Sequence, residues 1–244
     1  MNDDQPWRII VVVEGRGDER RVPLLIDHFL TSTAALPPLT DVRTYAGLGG
    51  WPFIRVHNIP QLARERGLSR RFSSDGPKKG DGGLVRQLFQ VLQKEKLLGP
   101  RSVVVWSRDD DGVRGRRTDV ENALGELPTS NPWLLAIASE CGEAWVIAGW
   151  SPASKMDDER LRKWRQQLGF APHEHPECLS HKENVPKSAK AVLDDFFGGD
   201  RDRENESLIA AACSGSGAAK ACGLSGFCDQ LRAWIARDIP IRRA

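Results

Sequence analysis

Two unbroken runs of apolar, mostly β-branched residues constrain the fold more than any other feature of the sequence. Residues 9–13 read IIVVV and residues 102–106 read SVVVW, without the alternation of a half-exposed strand. Strands that are apolar on both faces belong inside parallel sheets that helices cover on both sides. A third apolar run at 134–138, with helical patterns between the runs, is typical of right-handed βαβ units. The sequence therefore predicts an α/β fold with a doubly wound, mostly parallel sheet.

Spacing and turn residues predict the remaining elements. Before residue 150 we expect a strand at 41–46 and a surface loop at 71–83. We also expect one helix that contains Val22, Leu25, Ile26 and Phe29, a second at 84–98, and a third at 118–127 with Thr118 as its cap. Beyond residue 150 the strand patterns stop, and helical spacing appears at 157–168, 186–197, 204–212 and 224–237. We therefore predict an α/β domain at residues 1–150 and a helical part at 151–244, either a subdomain or a layer over the sheet.

Composition limits the cellular locations and the binding partners that we expect for the protein. The formal net charge is only +2, from 35 basic and 33 acidic residues, so any contact with nucleic acid requires a local basic patch. Five cysteines without a CxxC pair are typical of reduced thiols. No apolar run approaches the ~20 residues of a membrane span, and the opening MNDDQPWR lacks the apolar stretch of a secretion signal. We expect a cytoplasmic protein with no membrane partner.

Acidic residues directly follow each of the three apolar runs. Glu14 follows the first run, the triple aspartate 109–111 the second, and Glu140 or Glu143 the third. Because the carboxyl ends of parallel strands share one edge of a sheet, these side chains should converge there. Hard divalent cations take carboxylate oxygens as ligands, and a group of unpaired acids favours a cation as counter-charge. The pattern predicts a site for Mg²⁺ or Mn²⁺.

The same pattern resembles the Toprim domain. That domain is shared by type IA and type II topoisomerases, bacterial primases, recombination-repair proteins and nucleases of the OLD family. It places a glutamate after its first strand and an Asp-x-Asp after a later strand, around Mg²⁺. In this chain the two motifs are Val13-Glu14-Gly15 with Asp18, and Arg108-Asp109-Asp110-Asp111.

Shorter motifs extend the resemblance to a group of small bacterial Toprim-like proteins of unknown function, related to OLD-family nucleases. These motifs are a Glu-Ala-Trp, a Lys-x-x-Lys and a Ser-x-Phe. They are matched by Glu143-Ala144-Trp145, by Lys187 with Lys190, and by Ser225-Gly226-Phe227. The resemblance spans almost the whole chain, although each motif is short.

The resemblance implies a nuclease that hydrolyses phosphodiesters of DNA or RNA with Mg²⁺ or Mn²⁺. It implies catalytic roles for Glu14, Asp109 and Asp111. The implied metal ligands are Glu14, Asp18, Asp109, Asp111 and Glu143, and the predicted phosphate-binding residues are Arg108, Lys187 and Lys190. OLD-type nucleases couple such a domain to an ATPase, often in phage defence. This chain contains no GxxxxGK[ST] loop, so an ATPase partner would be a separate polypeptide.

Several alternatives stay open at this point. The acidic edge could bind metal or nucleotide without catalysis, in a regulatory subunit of an ATPase complex, or it could serve a small-molecule phosphohydrolase. Arg114, Arg116 and Arg117 could hold phosphate or be ordinary solvated charges. A zinc site could draw on a separate segment that contains His173, His175, Cys178 and His181, although no standard zinc spacing is matched.

Overall fold

The structure is a computed structural model that describes residues 5–32, 36–68, 80–113 and 115–239. One sheet contains the strands β1 (Trp7–Val13), β2 (Arg43–Tyr45), β3 (Phe53–Arg55), β4 (Ser102–Asp109) and β5 (Trp133–Ala138). The strand order is β2-β1-β4-β5, and β3 also pairs with β1. All pairings between these strands are parallel. The prediction of an α/β fold with a mostly parallel sheet is confirmed.

Helices cover both faces of the sheet, as the apolar strands require. They are α1 (Asp18–Thr31), α2 (Leu39–Val42), α3 (Ile59–Glu65), α4 (Asp81–Lys94), α5 (Arg116–Gly125), α6 (Glu143–Ile147), α7 (Lys155–Leu168), α8 (Ala189–Phe197), α9 (Arg201–Ser214), α10 (Gly217–Ala221) and α11 (Leu224–Asp238). In the described part of the chain, no helix combines the length and the apolar character needed to cross a membrane.

Strand β1 shows why the apolar runs are unbroken. Ile9 and Val11 belong to the larger core, with α1 and the helices of the C-terminal part. Ile10 and Val12 belong to the second core, with α3, α4 and α5. All four side chains are fully buried. Each residue from Ile9 to Val13 therefore enters a core, on alternating sides of the sheet.

The helices beyond residue 150 pack into the larger core together with the sheet. Trp234 of α11 meets Trp7 of β1 edge to face, with ring centroids 5.5 Å apart. The Ser207 hydroxyl of α9 donates a hydrogen bond to the carbonyl of Val146 in α6 at 2.6 Å. Phe227 of α11 stacks on Trp145 of α6. Helix α11 therefore packs on the sheet itself, and α9 packs on α6.

Some predicted boundaries were wrong. Most of the loop predicted at 71–83 lies outside the described residues, but residues 81–83 form the first turn of α4. Helix α5 begins at Arg116, after Gly115 in a left-handed conformation (φ 85°), and Thr118 is not its cap. The strand predicted at 41–46 is shorter, because residues up to Val42 form a helical turn. Strand β3 and helix α3 were not predicted.

Candidate functional site

The first two acidic motifs meet at the carboxyl ends of β1 and β4. These strands run side by side, with Val12 opposite Trp106. Glu14 follows β1, and its Oε2 accepts a hydrogen bond from the backbone N–H of Asp109 at 3.1 Å. Its Oε1 lies 2.8 Å from Nη1 of Arg108. The structure thus brings Glu14, Arg108 and Asp109 together, as the sequence predicted.

Asp18 joins this group from the first turn of α1. Its Oδ2 accepts a hydrogen bond from the backbone N–H of Glu14 at 3.1 Å, and its side chain is buried. Gly142 shows where the side chains converge. A Cβ at Gly142 would lie 3.5 Å from Asp18 Oδ1, 3.6 Å from Asp109 Oδ1 and 2.8 Å from Arg21 Nη1. Two carboxylates and one guanidinium therefore face the same point, and glycine keeps it open.

Arg21 is a site residue that the sequence analysis missed. Its Nη2 lies 2.8 Å from Oε1 of Glu143, and only 6% of the residue is exposed. Burial opposes the charge of Arg21, but Glu143, Asp18 and Asp109 outweigh this effect and raise its pKa. Burial likewise opposes the charge of Glu143, and the ion pair with Arg21 lowers the Glu143 pKa despite it. The spacing of Arg21 from Asp18, three residues along one helix, is the sequence signal that could have revealed it.

The acids outnumber the cations around Asp109. Burial, together with the negative charges of Asp18, Glu143 and Glu14, raises the pKa of Asp109 to about 8. Burial is also the main cause that raises the pKa values of Glu14 and Asp18. With a pKa of about 8, the Asp109 carboxyl holds its proton near neutral pH unless another cation arrives. The site therefore favours an additional positive charge.

Asp111 lies at the same edge and is held by an arginine. It adopts a left-handed conformation (φ 50°) two residues after the end of β4. Its Oδ2 lies 2.8 Å from Nη1 of Arg116, which also donates to the carbonyl of Asp109. Arg116 and Arg108 both reach the buried carboxylate of Asp81, a residue that the sequence analysis had placed in a loop. Two of the three predicted catalytic acids, Glu14 and Asp111, thus each pair with an arginine.

Asp110, the middle aspartate of the run 109–111, stabilises the loop that follows β4. Asp110 Oδ1 accepts backbone hydrogen bonds from Gly112 at 2.9 Å and from Glu140 at 2.8 Å. These bonds join the loop after β4 to the loop after β5. Glu140 adopts a positive φ of 64° there, and its Oε2 lies 3.2 Å from Nδ1 of His181. Asp110 is therefore committed to the backbone, unlike its two neighbours.

The two predicted phosphate-binding lysines lie on an exposed segment outside this group. Lys190 donates to Glu183 at 2.7 Å. Lys187 is exposed, and the segment is held by a backbone hydrogen bond from Ser180 to its carbonyl at 2.8 Å. Neither lysine forms a hydrogen bond or ion pair with the predicted metal ligands in the described part of the chain.

The three histidines considered for zinc have separate neighbours, and Cys178 contacts Glu177, which is also the neighbour of His175. The ring of His173 packs edge to face against Trp150, and His175 lies 3.4 Å from Glu177. His181 instead pairs with Glu140. Throughout residues 5–32, 36–68, 80–113 and 115–239, no three side chains of His, Cys, Asp or Glu are arranged to hold a metal ion. At the acidic edge, guanidinium groups contact the carboxylates of Glu14, Asp111 and Glu143.

Comparison of the chain with protein-family models, with curated proteins and with solved structures found no match. The chain has a Rossmann-like arrangement of a parallel sheet between helices, with acids at the carboxyl ends of its strands. Its function has to be inferred from the chemistry of those acids.

Proposed function

We propose that the protein is a divalent-metal-dependent phosphodiester hydrolase of the Toprim type, acting on DNA or RNA. The observation that carries the proposal is the contact between Glu14 and Asp109 at the ends of adjacent parallel strands. Asp18 and Asp111 flank this contact. The order of motifs and the strand ends on which they lie both agree with the Toprim resemblance.

The donor atoms suit Mg²⁺ or Mn²⁺. They are carboxylate oxygens, which hard dications prefer. Burial, together with the negative charges of the neighbouring acids, raises the pKa of Asp109 to about 8. Glu14, Asp109 and Asp111 would hold the ion, with Asp18 and Glu143 around them. When bound, the ion would polarise phosphoryl oxygens and activate water. Because Arg108 and Arg116 contact Glu14 and Asp111, these ion pairs have to open for the ion to bind.

Residues of the chain would supply acid–base catalysis and phosphate binding. Glu14 is one-third exposed, so it can reach a substrate and act as general acid or base. Arg108 and Arg116, once released from the carboxylates, present guanidinium groups that suit phosphate oxygens. Lys187 and Lys190 would contact more distant phosphates from their exposed segment. Arg21 stays buried and holds Glu143 in place.

The test is cleavage of plasmid, single-stranded DNA and RNA by the purified chain, with Mn²⁺, Mg²⁺ or EDTA. Asp109→Asn and Asp111→Asn should each abolish metal-dependent cleavage, because the amide replaces an anionic ligand. Asp110→Asn is the matched control, since its amide oxygen can still accept the backbone hydrogen bonds. Cleavage by Asp109→Asn and Asp111→Asn at the rate of the parent would overturn the proposal.

A second candidate is a regulatory subunit that binds metal or nucleotide for a separate ATPase without cleaving anything. The near-neutral net charge of +2 favours it, because a protein that cleaves nucleic acid needs a local basic surface for the phosphates. This candidate predicts Mn²⁺ binding without cleavage of any of the three nucleic acids. Hydrolysis of a chromogenic phosphodiester alone would indicate a small-molecule phosphohydrolase instead.

A further inference from the structure

Five charged side chains form a continuous series of ion pairs across the site. In order, they are Glu14, Arg108, Asp81, Arg116 and Asp111. Arg108 lies 2.8 Å from Glu14 through Nη1 and 3.0 Å from Asp81 through Nε. Arg116 lies 2.8 Å from Asp111 through Nη1 and 3.5 Å from Asp81 through Nε. Both arginines therefore connect one shared inner carboxylate to an outer carboxylate of the proposed metal site.

The inner and outer carboxylates differ in burial. Only 7% of the Asp81 side chain is exposed, against 33% for Glu14 and 31% for Asp111. Solvent and dissolved ions compete more readily for the outer pairs than for the inner ones, because partly exposed ion pairs are screened. The inner pairs are costly to break, since that leaves a buried carboxylate without a partner. Under competition the outer contacts open first, while Asp81 keeps both arginines.

Asp81 is itself fixed by the packing of α4 on α5. The backbone N–H of Gly82 donates to Asp119 Oδ2 at 2.8 Å. A Cβ at Gly80 would lie 2.2 Å from the same oxygen, so only glycine fits this approach. Asp81 is also the first residue of α4, where the helix dipole stabilises a negative charge. Its carboxylate therefore has a fixed position between the two arginines.

We propose that Asp81 is a positioning residue. It holds Arg108 and Arg116 beside the site both when the site is free of metal and when a dication is bound. Without metal, the arginines neutralise Glu14 and Asp111. When a dication takes those carboxylates, Asp81 retains the arginines at the edge, where they face the phosphate of the substrate. This inference rests on the proposed function. It adds that guanidinium and dication compete for the same two carboxylates, with the charge of Asp81 favouring the dication.

The test is Mn²⁺ binding by the full-length chain, measured by electron paramagnetic resonance of free Mn²⁺. Asp81→Asn should weaken binding about tenfold, a coupling of ordinary size between contacting charged residues. Asp81→Glu keeps the charge and should restore most of the affinity. Asp157→Asn is the matched control, because Asp157 is also a buried aspartate in the first turn of a helix, near Arg160 and Arg203. It should bind Mn²⁺ like the parent.

A double-mutant cycle separates positioning from a general effect of charge. With both arginines removed in Arg108→Gln/Arg116→Gln, adding Asp81→Asn should change Mn²⁺ affinity by less than about twofold. An equal effect of Asp81→Asn in both backgrounds, or no effect in the parent, would overturn the inference. Arg116→Gln alone should tighten Mn²⁺ binding, and unchanged affinity would overturn the inference even if Asp81→Asn fails to fold.

Mn²⁺ binding and cleavage, measured on the same parent chain, distinguish failure of the proposed nuclease function from failure of the proposed role of Asp81. A parent chain that binds Mn²⁺ but cleaves no nucleic acid refutes the nuclease, while the effect of Asp81 on Mn²⁺ affinity still decides the inference. If the parent chain binds no Mn²⁺, both the metal-dependent function and the role of Asp81 are refuted.

Discussion

The backbone N–H of Asp109 donates a hydrogen bond to the Glu14 carboxylate at 3.1 Å, although 95 residues separate them in the chain. The contact exists because β1 and β4 are neighbours that run in parallel and end at the same edge. One oxygen of Glu14 is thereby fixed by the backbone that also carries the Asp109 side chain. The orientation of Glu14 does not depend on a flexible partner.

Glu14→Gln should separate the charge of Glu14 from its shape. The amide oxygen can still accept the hydrogen bond from Asp109, so the free energy of unfolding should change by no more than about 1 kcal/mol. Loss of the charge removes a metal ligand and a general acid or base, and metal-dependent cleavage should fall about 10²-fold or more. Cleavage rates and urea unfolding of the same preparations check this. A variant that loses stability but still cleaves at the rate of the parent would contradict the assignment.

Asp109 should make the metal-free protein less stable as the pH rises. Burial and neighbouring acids raise its pKa to about 8 from the usual 3.8. Between these values the folded chain holds a proton that the unfolded chain has released, so stability is lost as pH rises through this window. In EDTA, the parent should lose at least about 1 kcal/mol more between pH 5 and pH 8 than Asp109→Asn, since one unit of pKa shift corresponds to about 1.4 kcal/mol.

Urea unfolding at the two pH values measures this difference. Asp110→Asn should keep the pH dependence of the parent, because Asp109 is unchanged. Mn²⁺ should reduce it, since a dication favours the ionised form of Asp109. Parallel pH curves for the parent and Asp109→Asn in EDTA would show that Asp109 ionises normally in the folded chain.

The sequence predicted the sheet and its acidic edge well, for a physical reason. Runs such as residues 9–13 lack alternation only when both faces of a strand are covered, and that requirement also specifies parallel neighbours. Once the strands are parallel, their carboxyl ends coincide, and Glu14 and Asp109 meet without any information about side chains. Strand β3, with three residues, is too short to show a period, and it was missed.

The basic half of the site was predicted only in part: Arg108 was named as a phosphate-binding residue, the role of Arg116 was left open, and Arg21 was missed. Arg21 and Arg116 lie on helices, where their direction depends on how each helix packs on the sheet. Asp81 lies in a glycine-rich stretch that is typical of a loop. It forms a helix start because Gly80 and Gly82 pack against Asp119, a contact between distant parts of the chain. Local sequence patterns carry no signal for such contacts.

Removing the buried cation beside Glu143 should make the protein depend on a dication for stability. Arg21→Met keeps the length of the side chain but leaves Glu143, Asp18 and Asp109 without their buried partner. Breaking a buried ion pair from one side costs about 3–5 kcal/mol. Mn²⁺ should raise the melting temperature of Arg21→Met by more than it raises that of the parent. An equal shift in both would mean that the ion does not bind near these acids.

The division predicted at residue 150 can be tested with a fragment. Expressed alone, residues 1–150 should not form a stable fold, because Trp145 and Trp7 bury their rings against Phe227 and Trp234 of α11. Losing these contacts exposes several large aromatic surfaces, each worth about 1.5–3 kcal/mol of burial. Near-ultraviolet circular dichroism should show no fixed aromatic packing in the fragment. A cooperative unfolding transition of residues 1–150 would instead show that the α/β part is an independent domain, with the C-terminal helices docked onto a core that is stable without them.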